Sequence, residues 1–299
     1  MILAVTGGTG FVGARLIDAA LAAGHQVRAL TRRPQPARAG VTWVPGALDD
    51  AAALSTLVSS ADALVHAAGV LGATTRAAFV AGNVEGTRAV VEAAKVWAIP
   101  RIVHVSSLAA REPSLSDYGW SKAEGERLVA DSHLPWTIVR PPAVYGPGDH
   151  EQRDLFRLAK LGLAVMPPPG RLSAIHVDDL AGLLLALAAA PADHALYEPE
   201  GPDGAMTHGT YFDAIGAAVG RRVLALPLPA ALLRAASRAD RLLRREGAKL
   251  TADRVAYMVH PDWTADPAKA PPAALWRPRI ALREGMADAA RWYRAQGLL

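Results

Sequence analysis

The segment that most constrains this chain is Thr6-Gly7-Gly8-Thr9-Gly10-Phe11-Val12-Gly13. It follows directly on Ile2-Leu3-Ala4-Val5, an apolar run expected to be a buried strand, and it opens a helical pattern over residues 13–23. Gly7 permits a tight turn, Gly10 lets the backbone approach a pyrophosphate, and Gly13 lets helix and strand pack closely. The helix N-terminus then offers free N–H groups and a partial positive charge to phosphate. Three spaced glycines alone say little. Set between a strand and a helix, they point to a dinucleotide cradle formed by Thr6, Gly7, Gly10, Phe11, Val12 and Gly13.

The pattern continues. Short apolar runs at 2–6, 26–30, 63–66, 101–106 and 137–140 read as strands, and residues 13–23, 51–59, 84–97 and 118–131 read as helices. Strands separated by helices imply right-handed βαβ units, and so an α/β fold with a doubly wound parallel sheet. After Tyr145-Gly146-Pro147-Gly148 the periodic strands thin out, although 174–177 and 179–190 look like one more strand and helix returning to the sheet. The expected division is a cofactor-binding domain over 1–195, with 146–170 contributing to a substrate lobe, and a smaller helix-rich substrate-binding lobe over 196–299.

Composition excludes several alternatives. With no cysteine in 299 residues, disulfide scaffolds, Cys-ligated zinc and thiol nucleophiles are ruled out, and the absence fits a reducing cytoplasm. The nine histidines show no metal-binding spacing, so no metal is expected. A net charge of +4 is too small for a nucleic-acid footprint. The longest apolar stretch, 180–190, is shorter than the roughly 20 residues a membrane helix needs, and the opening residues lack the basic segment of a signal peptide. One stretch stands apart: Arg234, Arg238, Arg241, Arg244 and Arg245 alternate with Leu232, Leu233, Leu242 and Leu243, a basic amphipathic helix. It reads first as a solvated face and second as a contact with an acidic membrane surface or a partner.

Roughly 20 residues past the glycines, a carboxylate would hydrogen-bond the adenosine ribose of NAD. The chain reads Ala29-Leu30-Thr31-Arg32-Arg33-Pro34 instead. Guanidinium groups at Arg32 and Arg33 suit a 2′-phosphate, which favours NADP over NAD.

Tyr118 and Lys122 lie one turn apart on one helix face, in Tyr118-Gly119-Trp120-Ser121-Lys122. A phenol titrates near pH 10 unaided, and a neighbouring ammonium brings it toward the range that general acid–base work requires. Upstream, Ser106-Ser107 ends a strand, where a hydroxyl can hydrogen-bond a substrate carbonyl.

Together these motifs resemble the extended short-chain dehydrogenases/reductases of the NAD-dependent epimerase/dehydratase family. The similarity also rests on His66-Ala67-Ala68-Gly69, Asn83-Val84-Glu85-Gly86-Thr87, Arg140-Pro141-Pro142-Ala143-Val144-Tyr145 and His176-Val177-Asp178-Asp179-Leu180. The resemblance implies a Rossmann-type sheet and a small-molecule substrate. It makes Tyr118 the acid/base, with Lys122 tuning it and bonding the nicotinamide ribose, and Ser107 the group that polarises the reacting oxygen. It also implies that Ala67, Ala68 and Gly69 run along the cofactor, that Leu48 contacts it, and that Pro141 and Val144 line the nicotinamide. Asn83 becomes a structural brace. Relatives commonly pair through the helices at 84–97 and 118–131, so a homodimer is expected on the same ground.

Departures from the family bear on substrate. The segment Ser107-Leu108-Ala109-Ala110 lacks the Thr-Asp-Glu of sugar-nucleotide dehydratases, and the Val-Tyr-Gly common after the serine in epimerases is missing. Arg171-Leu172-Ser173-Ala174-Ile175 does not match the segment that holds a nucleotide diphosphate, and Ala47 stands where many relatives have an adenine-bonding Asp. The C-terminal third, through Asp266-Pro267-Ala268-Lys269 and Trp292-Tyr293, is similar to the hydroxysteroid dehydrogenase and dihydroflavonol reductase branch. The expected activity is hydride transfer between NADP and a carbonyl/alcohol carbon of a small apolar substrate. Two alternatives stand beside it: a nucleotide-sugar epimerase or dehydratase with retained NAD, and a non-catalytic NADP(H)-binding sensor or accessory subunit.

Overall fold

Strand β1 (Ile2–Thr6) is the axis of a seven-stranded sheet, pairing in parallel with β2 (Gln26–Thr31) on one side and β4 (Ala63–His66) on the other. The structure, a computed structural model, describes residues 1–248 and 250–299. Beyond β2 lies β3 (Val41–Pro45), and beyond β4 lie β5 (Ile102–Val105), β6 (Trp136–Val139) and the two-residue strand Leu196–Tyr197. Every pairing in this sheet is parallel. The strand order reverses direction between β1 and β4, and in open α/β sheets that switch point is where ligands bind, beyond the strands' carboxyl ends.

The central strands β1, β4 and β5 are buried almost throughout because both faces of the sheet are covered there. Helices α1 (Phe11–Ala22), α2 (Ala51–Val58), α4 (Gly86–Val96) and α5 (Asp117–Ala130) follow β1, β3, β4 and β5. Leu54, Leu57, Leu64, Val90, Ile102, Val129 and Ile138 form one core cluster between sheet and helices. Side-chain caps fix where two helices begin: Asp50 accepts from the Ala53 amide at 3.0 Å, and Ser116 from the Gly119 amide at 3.0 Å. Ahead of α4 run a short helix α3 (Arg76–Phe79) and a π-helical turn over Val80–Glu85.

The chain divides into two compact units that interleave in sequence. The first comprises Met1–Pro141, Leu180–Glu198 and Pro271–Arg277; the second Pro142–Asp179, Pro199–Ala270 and Pro278–Leu299. The second unit carries three small sheets and a core of Tyr145, Phe156, Met166, Tyr211, Ile215, Met286 and Tyr293.

Residues 174–177 do not return to the main sheet as the sequence suggested. Ala174–His176 pairs in parallel with Ala143–Tyr145 in a separate two-stranded sheet of the second unit. The seventh strand of the main sheet is Leu196–Tyr197, whose Tyr197 carbonyl accepts from the Arg140 amide at 2.8 Å. Pro141-Pro142 follows immediately, and prolines have no N–H with which to continue a ladder, so the chain leaves the sheet there.

Candidate active site

The glycine turn is sterically committed. Gly7 has φ +74°, and a Cβ there would sit 2.6 Å from the Ala68 amide nitrogen and 2.7 Å from the Ala67 carbonyl carbon. A side chain on buried Gly13 would collide with the Gly7 carbonyl oxygen. The Gly10 amide donates to that same oxygen at 2.9 Å, and no side chain caps the start of α1. The first N–H groups of a helix have no partner inside it. A phosphate fits this cradle. Phe11 and Val12, in the first turn, are half-buried.

Beneath the turn runs a directed chain of hydrogen bonds. The Thr87 hydroxyl donates to the Asn83 carbonyl at 2.7 Å, so it accepts from His66 Nε2 at 3.0 Å. His66 Nδ1 then accepts from the Thr6 hydroxyl at 2.6 Å, and the Thr6 oxygen accepts from the Ala68 amide at 3.2 Å. This is the arrangement of a neutral His66 ring with its proton on Nε2. Burial, reinforced by the Lys122 charge, lowers its pKa to about 3. Thr6 is fully buried, so its side chain braces the loop from below.

Tyr118 and Lys122 ride on α5, fixed at its start by the Ser116 cap. Arg76 from α3 pairs with Asp117 at 2.7 Å and lies 3.8 Å above the Trp120 ring, while Phe79 stands 6.1 Å from the half-buried Tyr118 ring. Lys122 is buried, and its Nζ donates to the Val105 carbonyl at the end of β5, at 2.7 Å. Burial brings its pKa down to about 8, with the Glu126 carboxylate acting in the opposite direction. His104 is also buried and is held well below its ordinary value, first by burial and then by the Lys122 charge.

The two serines separate. Ser106 is buried and donates to Glu126 Oε1. Ser107 is half-buried in extended backbone and caps a 3-10 turn, accepting from the Ala109 amide at 3.2 Å. The amide of Leu108 donates to the Pro141 carbonyl at 3.0 Å, which brings Pro141 beside the turn that Ser107 opens.

These pieces meet at the end of β4. Ala67 and Ala68 press against Gly7, and a Cβ on Gly69 would lie 3.7 Å from Lys122 Nζ and 3.1 Å from Asn83 Oδ1. Asn83 sits in the π turn, accepts from the Val70 amide at 2.6 Å and donates to the Val70 carbonyl at 2.9 Å and the Ser121 hydroxyl at 2.9 Å. It is a brace between the β4 end and α5. Opening loop and Tyr–Lys helix thus converge on Ala67–Ala68–Gly69.

Such convergence is what a nicotinamide dinucleotide site requires, and residues 7–191 match the family model described as NAD(P)H-binding. The chain belongs to this NAD(P)H-binding family. Ceramide reductase of Caulobacter vibrioides is 35% identical, the alignment covering 100% of this chain and 96% of the relative. A 4-hydroxy-2-methyl-3-oxo-4-farnesyl-3,4-dihydroquinoline-1-oxide ketoreductase of Stigmatella aurantiaca is 34% identical over 48% of this chain and 51% of its own. Among solved structures, MoeE5 in complex with UDP-glucuronic acid and NAD has a TM-score of 0.76 at 23% identity, covering 99% of both chains, a likeness of fold. The protein is an NAD(P)-dependent oxidoreductase of the extended short-chain dehydrogenase/reductase type.

Other expected contacts are distributed differently. Arg32 and Arg33 at the end of β2 are exposed, and neither guanidinium is paired among the described residues. Leu48 is half-buried, its side chain against the Gly86 position that opens α4. Val144 belongs to the second unit, on the strand paired with Ala174–His176.

Several residues escaped the sequence reading. Glu126 on α5 receives Arg140 in a two-pronged pair, Nε to Oε1 at 2.8 Å and Nη2 to Oε2 at 2.6 Å. Arg140 also reaches Glu198 at 3.3 Å, and Arg111 approaches that carboxylate at 3.8 Å. Arg140 belongs to the segment Arg140-Pro141-Pro142-Ala143-Val144-Tyr145, but nothing in the sequence links it to Glu126. The partners of Thr87 and Arg76 were equally silent.

Proposed function

We propose that this enzyme uses NADPH to reduce a ketone on an apolar, lipid-like substrate, with Ser107, Tyr118 and Lys122 as its catalytic residues. One observation carries the reading: a buried lysine, tethered to the Val105 carbonyl, lies one turn from Tyr118 and beside Gly69. Gly7, Gly10, Gly13 and the first turn of α1 would hold the pyrophosphate, and Ala67–Ala68–Gly69 would run along the cofactor. A bound nicotinamide supplies the hydride that reduces the carbonyl carbon. Ser107 and Tyr118 hydrogen-bond the carbonyl oxygen, and the Tyr118 hydroxyl passes its proton to that oxygen. Lys122, kept cationic below about pH 8, stabilises the phenolate left behind.

NADP is preferred because Arg32 and Arg33 present two free guanidinium groups where an NAD site places a carboxylate. The apolar substrate class is supported by relatives named for ceramide and for a farnesyl-bearing ketone.

The decisive test is Tyr118→Phe, assayed for NADPH oxidation against a panel of long-chain ketones. Loss of the acid lowers kcat by about 100-fold or more, with NADPH affinity retained. A variant as fast as the parent on every accepted ketone removes Tyr118 from the mechanism.

A further inference from the structure

The helix Ala230–Arg244 of the second unit carries three distinct stripes. At about 3.6 residues per turn, positions three and four apart share a face. Leu233 and Ser237 are buried, and with Asp240 they form the stripe that faces the protein. Arg234, Arg238 and Arg241 follow one another along a second stripe, all exposed. Leu232, Ala235, Ala239, Leu242 and Leu243 form a third, and it too faces outward. Leu232 is 51% exposed, Leu242 81% and Leu243 84%.

An ordinary surface helix turns its leucines inward and its charges outward. This one does the first with Leu233 and then spends three more leucines on solvent. Over residues 230–246 five arginines stand against two acids, Asp240 and Glu246, and Arg244 engages Asp240 at 3.2 Å. The guanidinium groups of Arg234, Arg238, Arg241 and Arg245 have no acidic partner among the described residues. The strand pair leading into the helix adds exposed apolar side chains at Leu224, with Leu161 beside its start. At its longest this helix has 15 residues, and no helix among the described residues is long and apolar enough to cross a membrane.

The geometry points to a docking surface for an anionic lipid bilayer, with the leucine stripe entering the headgroup–acyl boundary and the arginine stripe pairing with lipid phosphates. Arrangement selects the occupant: adjacent apolar and cationic stripes on one exposed helix match a surface that is itself apolar beneath and anionic above. A nucleic acid would use the arginines and leave the leucines in water. A second copy of this chain would bring its own arginines against these. The assignment stands on the helix alone and holds whether or not the proposed reaction does.

The test is co-sedimentation of the full chain with vesicles, which needs no turnover. Vesicles of equal parts phosphatidylglycerol and phosphatidylcholine pellet the protein, and phosphatidylcholine alone does so at least about tenfold less well. Replacing Leu232, Leu242 and Leu243 together by Ser weakens binding about tenfold or more with the charge unchanged, while thermal unfolding matches the parent. Replacing Arg234, Arg238 and Arg241 by Gln weakens it about 100-fold. A parent that stays in the supernatant overturns the proposal. So does a leucine variant that pellets like the parent, or one whose only change is conversion of a dimer to a monomer.

Discussion

Two ends of the same sheet are built in opposite ways. At the ends of β4 and β5, Lys122 is buried and tethered, the Asn83 side chain makes three hydrogen bonds, and one buried hydrogen-bonded path joins Thr6 through His66 to Thr87. At the end of β2, Arg32 and Arg33 extend into solvent with no partner among the described residues. The proposed roles fit this contrast: a group that moves protons must already stand in place, because reorganising it would add to the barrier. A group that recognises a phosphate can remain loose until the ligand arrives, losing side-chain freedom only then.

The contrast can be broken experimentally. Glu126→Ala strikes the fixed end, removing the carboxylate that Arg140 grips twice and Ser106 donates to; unfolding stability falls by about 3–5 kcal/mol, read by denaturant titration. A loss under 1 kcal/mol or so would show the region less rigid than its bonding suggests.

Lys122→Met gives a pH signature. Burial lowers the lysine from 10.5 to about 8, so the folded state holds an unfavourable charge at neutral pH. Between those values the unfolded chain binds more protons than the folded one, and the parent's stability rises with pH relative to the variant. The change is on the order of 3 kcal/mol across the window, complete near the upper value and absent below about 8. Parallel stability curves for parent and variant from pH 7 to 10.5 would remove the buried ammonium.

The loose end responds most weakly. Arg32→Ala with Arg33→Ala raises the Kd for NADPH by about tenfold and leaves that for NADH unchanged, with no effect on stability. Equal losses for the two cofactors would assign the arginines to general attraction and not to the 2′-phosphate.

What could be read from the sequence was local or periodic. The glycine turn, the one-turn spacing of Tyr118 and Lys122, and the apolar runs of β1, β4 and β5 each announce themselves within a few residues. Strand β3 did not, because Thr42 and Pro45 are exposed at the sheet edge and the apolar pattern is broken. Leu196–Tyr197 is too short to carry a pattern and exists through its pairing with β6. The π turn at Val80–Glu85 begins ahead of the helix expected at 84–97, and it holds Asn83 against Val70, a pairing 13 residues apart that no local pattern announces. Glu126 and Arg140 come from different elements, so only the fold could introduce them.

The turn between β1 and α1 has one further implication for how such an enzyme can change over evolutionary time. Its grip on a ligand, as proposed, comes from peptide N–H groups, and of the point mutations only those to proline delete such a donor. Every other substitution acts by obstructing the seat, as any side chain at Gly7 or Gly13 would. Selection for a new cofactor or substrate therefore has little to adjust there and must work through residues whose side chains are expendable to the architecture.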